Sequence, residues 1–392
     1  MGSILERRYL GTALCLLFCA AFNAIPAGAA VIHARSGHAA DLQAAINSAS
    51  TGDTISIPSG RFSFTGTVYA PDGIYIRGAG RDSTFLVKSD NSSVPTIIVD
   101  AKTGLPFKFS DITLQGRLDA LQKGNRTTAV TTVADGGLYI KGAAKNFKIF
   151  NVRFTKFLRA GIEFQGDAGS TPGEQMGVIY HNEFIDNWST SLGYGVPVDG
   201  SVASWNRPIA LGTANAVFIE DNLFVLNRHC VTSTNGANYV ARHNTVKDNY
   251  QDAQSFDAHG FSSAWPRGAR SVEIYENLVT NSIIRWAGAG IRGGSGVIWG
   301  NIWNGVSHGV VVSLEDPPAA HPLAVYPALD QIGNPYDLYI WNNTSTGDSV
   351  YKNPTSNSRG VDYWLRLGRD YFTTAKPGYR PYAYPHPLRA IN

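Results

Sequence analysis

The densest set of chemistry-bearing residues lies between positions 227 and 260: Asn227-Arg228-His229, Arg242-His243, Lys247, Asp248, Asp252, Asp257 and His259-Gly260. Asp257 and His259 are two residues apart, so in a strand both project to one face. Arg228 and Arg242 are cations able to neutralise a carboxylate. His229, Lys247 and His259 are able to take or give a proton. Cleaving a uronate-containing glycan by β-elimination needs both kinds of group: neutralising the carboxylate acidifies the neighbouring carbon, and a base then takes its proton. Hydrolysis would instead need two carboxylates facing one another across the scissile bond. Asp252 and Asp257 are the best such pair, with Glu220 as a third carboxylate. The plainer reading makes His243 and Asp248 turn caps and Arg242 an exposed surface residue.

These residues lie within a repeat. Seven Asn residues each follow a short β-type run, at 151, 182, 222, 244, 277, 301 and 343, with intervals of 31, 40, 22, 33, 24 and 42 residues. Shortest steps near 22 with variable excess describe a solenoid of strands with loops inserted into some turns. Asn suits such turns, because it tolerates left-handed backbone geometry and its amide can bond the amide of the next coil. The longer inserts fall at roughly 165–176, 187–215, 260–270 and 315–336 and hold Gly, Pro, Ser and Trp. The loops at 187–215 and 260–270 carry Arg207, Arg267 and Arg270 as further cations within reach of a groove.

Used as a ruler, the Asn positions align residues in neighbouring coils. If Val217 and Ile219 point inward, the residue two before each Asn points outward. Down the ladder this gives Tyr180, Glu220, Arg242, Tyr275, Trp299 and Trp341. Coils stack ~4.8 Å apart, so these side chains form a stripe. Rings pack on sugar faces, while charges bond hydroxyls and carboxylates. The stripe equally suits aromatic stacking that merely covers the rod. His229 follows its Asn by seven residues and His243 precedes its own by one, so the two Arg-His pairs are not equivalent.

The chain has 392 residues, and its start reads as a secretory signal peptide over 1–30: Glu6-Arg7-Arg8, an apolar run from Leu10 to Phe22, then Ala27-Gly28-Ala29. Cleavage there removes Cys15 and Cys19 and leaves Cys230 alone, so the mature chain has no intrachain disulfide. A single Cys fits a bacterial exported protein, secreted or periplasmic. The remaining residues, about 360, suffice for a large core. The net charge of +3 is compatible with an acidic partner, and no Lys/Arg run points to nucleic acid. No other apolar segment is long enough for a membrane. Residues 31–392 read as one domain: a short helix at Asp41–Asn47 with Asp41 as its cap, then strands, then a Pro/Tyr-rich strap from Pro377 to Pro387. The helix is well placed to cover the open end of the rod.

The stretch Asp41–Asn47 followed by Gly52-Asp53-Thr54-Ile-Ser-Ile-Pro58-Ser-Gly60 resembles the opening of right-handed parallel β-helix proteins of the pectate-lyase-like superfamily. The Asn coils from 147 to 343 resemble the same superfamily. The resemblance implies an all-β right-handed parallel β-helix that hosts lyases, hydrolases, epimerases or phage adhesins. Asp257-Ala-His259-Gly260 is loosely similar to the Arg-His-Gly region of alginate-lyase-type β-helices, with Ala258 in place of Arg. The Asp-His and Arg-x-Pro-x-x-Arg motifs of pectate lyases are missing. So is the paired Asp-Asp of polygalacturonases.

The expectation is therefore a monomeric exported polysaccharide lyase. Its catalytic candidates are Arg228, His229, Arg242, Lys247, Asp257 and His259, and its substrate-binding candidates Tyr180, Glu220, Tyr275, Trp299 and Trp341. A glycoside hydrolase and a non-catalytic carbohydrate-binding surface protein are the alternatives. No cofactor is demanded. The superfamily admits Ca2+, for which Glu220, Asp221 and Asp248 are the nearest oxygen donors, although no loop has a recognisable Ca2+ spacing. Scattered His residues and one mature Cys give no Zn pattern.

Overall fold

The structure, a computed structural model, describes residues 28–119, 134–166, 175–200, 209–250, 253–260, 267–315, 335–353 and 365–390. Most of the proposed signal peptide, much of each long insert, Asp252 and Arg207 lie outside the described residues.

Alternating apolar residues, punctuated by Gly, Asn and Asp, produce short strands that pair in parallel with the strand one coil away. Three ladders result. The first runs from Val31–His33 through Thr54–Ser56 and Tyr75–Arg77 to Val217–Glu220, Asn238–Arg242, Ser271–Tyr275, Gly294–Trp299 and Pro335–Trp341. The second contains Gly60–Phe64, Thr84–Lys88, Glu183–Ile185, Leu223–Val225 and Thr245–Lys247. The third contains Val68–Pro71, Pro95–Ala101, Gly136–Gly142, Ala160–Gln165, Tyr194–Asp199, His229–Thr234, Gln254–Ala258 and Asp348–Lys352. Leu278–Ile291 and Ile302–Val312 turn the corner between the second and third ladders. The fold is a right-handed parallel β-helix with three faces. The expected insert at 187–215 is interrupted by Tyr194–Asp199, which belongs to the third face.

Inward residues stack on their counterparts in the next coil. Phe154, Phe184 and Phe224 form one such column, with ring centroids 5.1 and 4.7 Å apart. Helix Ala39–Asn47 covers the first coil with Leu42, Ala45 and Ile46. The Gln43 amide bonds the edge backbone of Tyr69, donating to its carbonyl at 2.9 Å and accepting from its N–H at 2.8 Å, which closes an otherwise open strand edge. Asp41 is not the cap. His38 occupies that position without a side-chain cap bond, and Asp41 accepts from Ser36 Oγ at 2.6 Å.

The Asn ladder is present with one change of register. From Asn182 through Asn222, Asn244, Asn277 and Asn301 to Asn343, each side-chain amide donates to the next Asn Oδ1 at 2.8–3.1 Å. The left-handed residue is the one before each Asn: His181, Asp221, His243, Glu276, Gly300 and Asn342 all have φ between 51° and 66°. Asn151 itself sits at this left-handed corner, one place out of step, and bonds Asp111 instead. A second corner carries its own pair, with Asn187 Nδ2 donating to Asn227 Oδ1 at 2.8 Å.

Candidate functional site

The third face brings Asp257 and His259 together. Both project outward from the end of Gln254–Ala258, and His259 Nε2 lies 3.0 Å from Asp257 Oδ2. One coil further on, the strand ending at Ile291 delivers Arg292, whose N–H donates to Ala258 O at 2.8 Å. Arg292 Nη2 donates to Asp257 Oδ2 at 2.5 Å, and Nη1 donates to Glu315 Oε1 at 2.5 Å. Glu315 Oε2 lies 3.3 Å from His259 Nδ1 and accepts from Gly260 N–H at 3.3 Å. Two carboxylates and two cationic groups thus form a closed quartet. Arg292 Nη2 is almost equidistant from the two ring nitrogens of His259, at 3.1 and 3.3 Å, so it lies against the ring rather than bonding either nitrogen.

Burial ranks these groups. Asp257 is 0 % exposed, whereas the side chains of His259 and Arg292 retain 16 % and 22 % of their surface. The cations face outward with the Asp257 carboxylate behind them, while Glu315, 14 % exposed, stands level with His259. Burial alone would raise the Asp257 carboxyl, but Arg292 and His259 outweigh it and hold the group well below the usual carboxylate range. For His259, burial opposes the charged form, yet Asp257 and Glu315 push its pKa up to about 9. At neutral pH His259 is therefore an imidazolium, a proton donor and not a base. Gln254 Nε2 adds a further donor to Asp257 Oδ1 at 2.7 Å. It lies over Gly290, where a Cβ would stand 2.8 Å from the Gln254 amide.

On the preceding coils the face continues with Tyr194, Arg228 and His229. Arg228 Nη1 donates to Tyr194 Oη at 3.1 Å, and its guanidinium lies 5.7 Å from the centre of the Tyr194 ring. His229 is 3 % exposed, and its Nδ1 is 2.7 Å from Gln254 O. A carbonyl only accepts, so Nδ1 carries the proton and Nε2 is bare. Burial keeps this ring neutral, with a pKa lowered to about 3. Asp199 lies on the same face. Burial raises its carboxyl to about 6, and its Oδ1 is buried without a hydrogen-bond partner.

The structure separates the other sequence candidates from this group. The stripe register is as expected: Tyr180, Glu220, Arg242, Tyr275, Trp299 and Trp341 pair in order down the first face. The C-terminal strap, however, closes over its centre. Arg242 is 0 % exposed and spends its donors on Glu220 Oε2 at 2.7 Å, Tyr275 Oη at 2.9 Å, Tyr382 O at 2.7 Å and Ala383 O at 2.8 Å. Glu220 also binds Arg389 at 2.8 Å and the His386 N–H at 2.9 Å. Arg242 is therefore a structural ion pair and not a substrate neutraliser, and Glu220 and Tyr275 are withdrawn from substrate with it. Tyr180, Trp299 and Trp341 are half-buried around this strap, and Arg389 lies 4.7 Å over the Tyr180 ring. Lys247 is exposed on the second face, away from the quartet. The Ca2+ donors do not converge either. Arg389 engages both Glu220 and Asp221, while Asp248 accepts from Ser282 at another corner. Among the described residues no group of three or more His, Cys, Asp and Glu is arranged to hold a metal ion.

Two members of the quartet escaped the sequence reading. Arg292 carried a usable signal: Ala287, Ala289 and Ile291 alternate inward, so Arg292 falls in the outward phase beside His259. Glu315 stands at the start of an aperiodic insert and carried none.

No family model matches the sequence, and no curated protein matches it. Solved structures similar to this chain include an alginate lyase from Paenibacillus, at 14% identity over 83% of this chain and 98% of that one, with a TM-score of 0.49. The A-module of a mannuronan C-5 epimerase from Azotobacter vinelandii is 18% identical over 88% of this chain and 93% of that one, with a TM-score of 0.44. A polysaccharide lyase of family PL6 from Pseudopedobacter saltans is 14% identical over 93% of this chain and 90% of that one, with a TM-score of 0.44. These likenesses concern the fold alone.

Proposed function

We propose that the protein is an exported enzyme that cleaves a uronate-containing polysaccharide by β-elimination on its third face. The observation that carries this reading is the Asp257–His259–Arg292–Glu315 quartet, with its cations outward and its Asp carboxylate buried behind them. Elimination needs a fixed positive charge at the uronate carboxylate, a base to take the C5 proton, here a solvent water at the surface of the face, and a proton donor for the leaving oxygen. Arg292, with Arg228 two coils away, supplies the charge. His259 supplies the proton, since it stays protonated to about pH 9. His229 is assigned to positioning: its neutral ring packs 5.4 Å from the Tyr194 ring and anchors the Gln254 backbone, which in turn presents its amide to Asp257. No step is routed through a metal, because the proposed Ca2+ donors are engaged elsewhere.

The test incubates the full-length protein with a panel of uronate polysaccharides. Elimination produces an unsaturated end that absorbs in the ultraviolet, and His259→Gln abolishes it. New reducing ends without that absorbance would sink the lyase. Solvent deuterium entering C5 without new ends would mean that the proton is returned instead of the chain being cut.

A glycoside hydrolase is the second reading, supported by one observation. The Asp199 carboxyl, raised to about 6, can hold a proton near neutral pH, as a general acid must. In that reading Asp257, held ionised by Arg292 and His259, would be the second carboxylate. Asp199→Asn would then abolish turnover, whereas the lyase reading expects it to leave substantial activity.

A further inference from the structure

We propose that Trp286, His308 and Tyr351, which lie one, two and three coils beyond Asp257, form an aromatic subsite that takes a pyranose ring of the same glycan. This rests on the reading of the third face as a polysaccharide groove. The three rings form one patch. His308 and Tyr351 are stacked with centroids 4.0 Å apart and an interplanar angle of 11°. Trp286 stands perpendicular to both, at 4.8 Å from His308 and 6.2 Å from Tyr351. His308 Nδ1 lies 3.1 Å from Asp348 Oδ2, and the Asp348 side chain is 63 % exposed. Half-buried rings beside an accessible imidazole–carboxylate pair offer a sugar both an apolar surface and hydrogen-bond partners.

The register places Tyr351 on the row of Asp257, while His308 and Trp286 stand on the rows of Gln254 and Ala253, toward the start of the same face. Asp257 pairs with Gly290, Gly290 with Val311, and Val311 with Tyr351. Tyr351 is therefore three coils along the outward row that begins at Asp257. Between them stand only a glycine and a valine that is 4 % exposed, so the floor of the row is low. Coils are spaced by ~4.8 Å, close to the advance of one sugar along an extended chain. A chain crossing the face obliquely from a reacting unit at His259 would set a unit a few sugars away onto these rings. The surface rings of the first face do not offer this, because Arg389 and the strap occupy their centre.

The experiment uses the full-length protein, Trp286→Ala and Trp286→Phe, with the panel polymer turned over fastest and a size series of its oligosaccharides. Trp286→Ala raises KM on the polymer about tenfold with kcat unchanged, a loss worth about 1.4 kcal/mol. It leaves oligosaccharides too short to reach from His259 to the rings unaffected, and Trp286→Phe restores most of the affinity. Equal loss on short and long chains, or none on either, overturns the subsite. Retention on polymer-containing gels separates this from failure of the lyase. If no polymer is turned over but the wild type is retarded and Trp286→Ala is not, the elimination reading falls and the subsite stands. If the two migrate alike, the subsite falls.

Discussion

The first and third faces of this rod are built alike and used differently. Each stacks an Arg against acidic side chains from neighbouring coils. On the first face Arg242 meets Glu220 with both side chains 0 % exposed, and backbone carbonyls of the strap take its remaining donors. On the third face Arg292 meets Asp257 and Glu315, but its own side chain keeps 22 % of its surface. A guanidinium whose donors are all spent on the protein has nothing left for a ligand. The quartet leaves part of Arg292 toward solvent, beside Glu315, and a proton on His259. The strap decides between the two outcomes. Tyr379, Tyr384 and Arg389 bind Glu273, Asp221 and Glu220, so the C-terminal segment completes the first face and is a structural part of the fold.

The sharpest way to break this contrast is Arg242→Ala. It leaves Glu220 buried with Arg389 as its remaining cation, and should cost about 3–5 kcal/mol, seen as a large fall in the thermal midpoint. A variant that kept its midpoint but lost turnover would reverse the assignment of the two faces. His259→Gln tests the other side. Turnover should fall about a hundredfold or more, while unfolding shifts far less than in Arg242→Ala.

The faces should also differ in pH response. The folded pKa of His259 is raised from 6.5 to about 9. Its contribution to stability is therefore complete below 6.5 and is lost as pH rises through 9. Turnover that needs the imidazolium falls over the same upper range. Asp257 works in the opposite direction: its depressed pKa contributes above the ordinary carboxylate value of 3.8 and is lost as pH falls below it. Denaturant melts and rate profiles from pH 5 to 10 would check the alkaline limb, and His259→Gln should flatten it. The smallest effect expected is that of Tyr384→Phe, which removes one exposed bond to Asp221 at 2.7 Å. It should cost at most about 1 kcal/mol and leave turnover unchanged. A large loss of activity there would mean that the strap reaches the third face.

The Asn repeat was legible because an Asn ladder demands the same residue at the same corner of every coil. Alternation fixed which side chains point outward, and this correctly put Tyr180 through Trp341 on one line and Asp257 beside His259. It failed at Asn151, where a one-residue slip moves the Asn from the ladder to the left-handed corner. The alternation does not distinguish outward from exposed. That is why Arg242 and Arg228 looked equivalent as candidates, although one lies beneath residues more than 130 positions later in the chain. Lys247 failed for a related reason: closeness in sequence spans a corner, and the corner turns it to another face.

By itself the sequence determined the coil, its core and the two-residue spacing of Asp257 and His259, because these depend on local periodicity. The tertiary structure decided which outward face the C-terminal strap covers, that Arg292 and Glu315 complete the quartet, and that His259 holds its proton. Those outcomes depend on segments that meet only when the coils stack and the tail folds back, and on burial that no local pattern records.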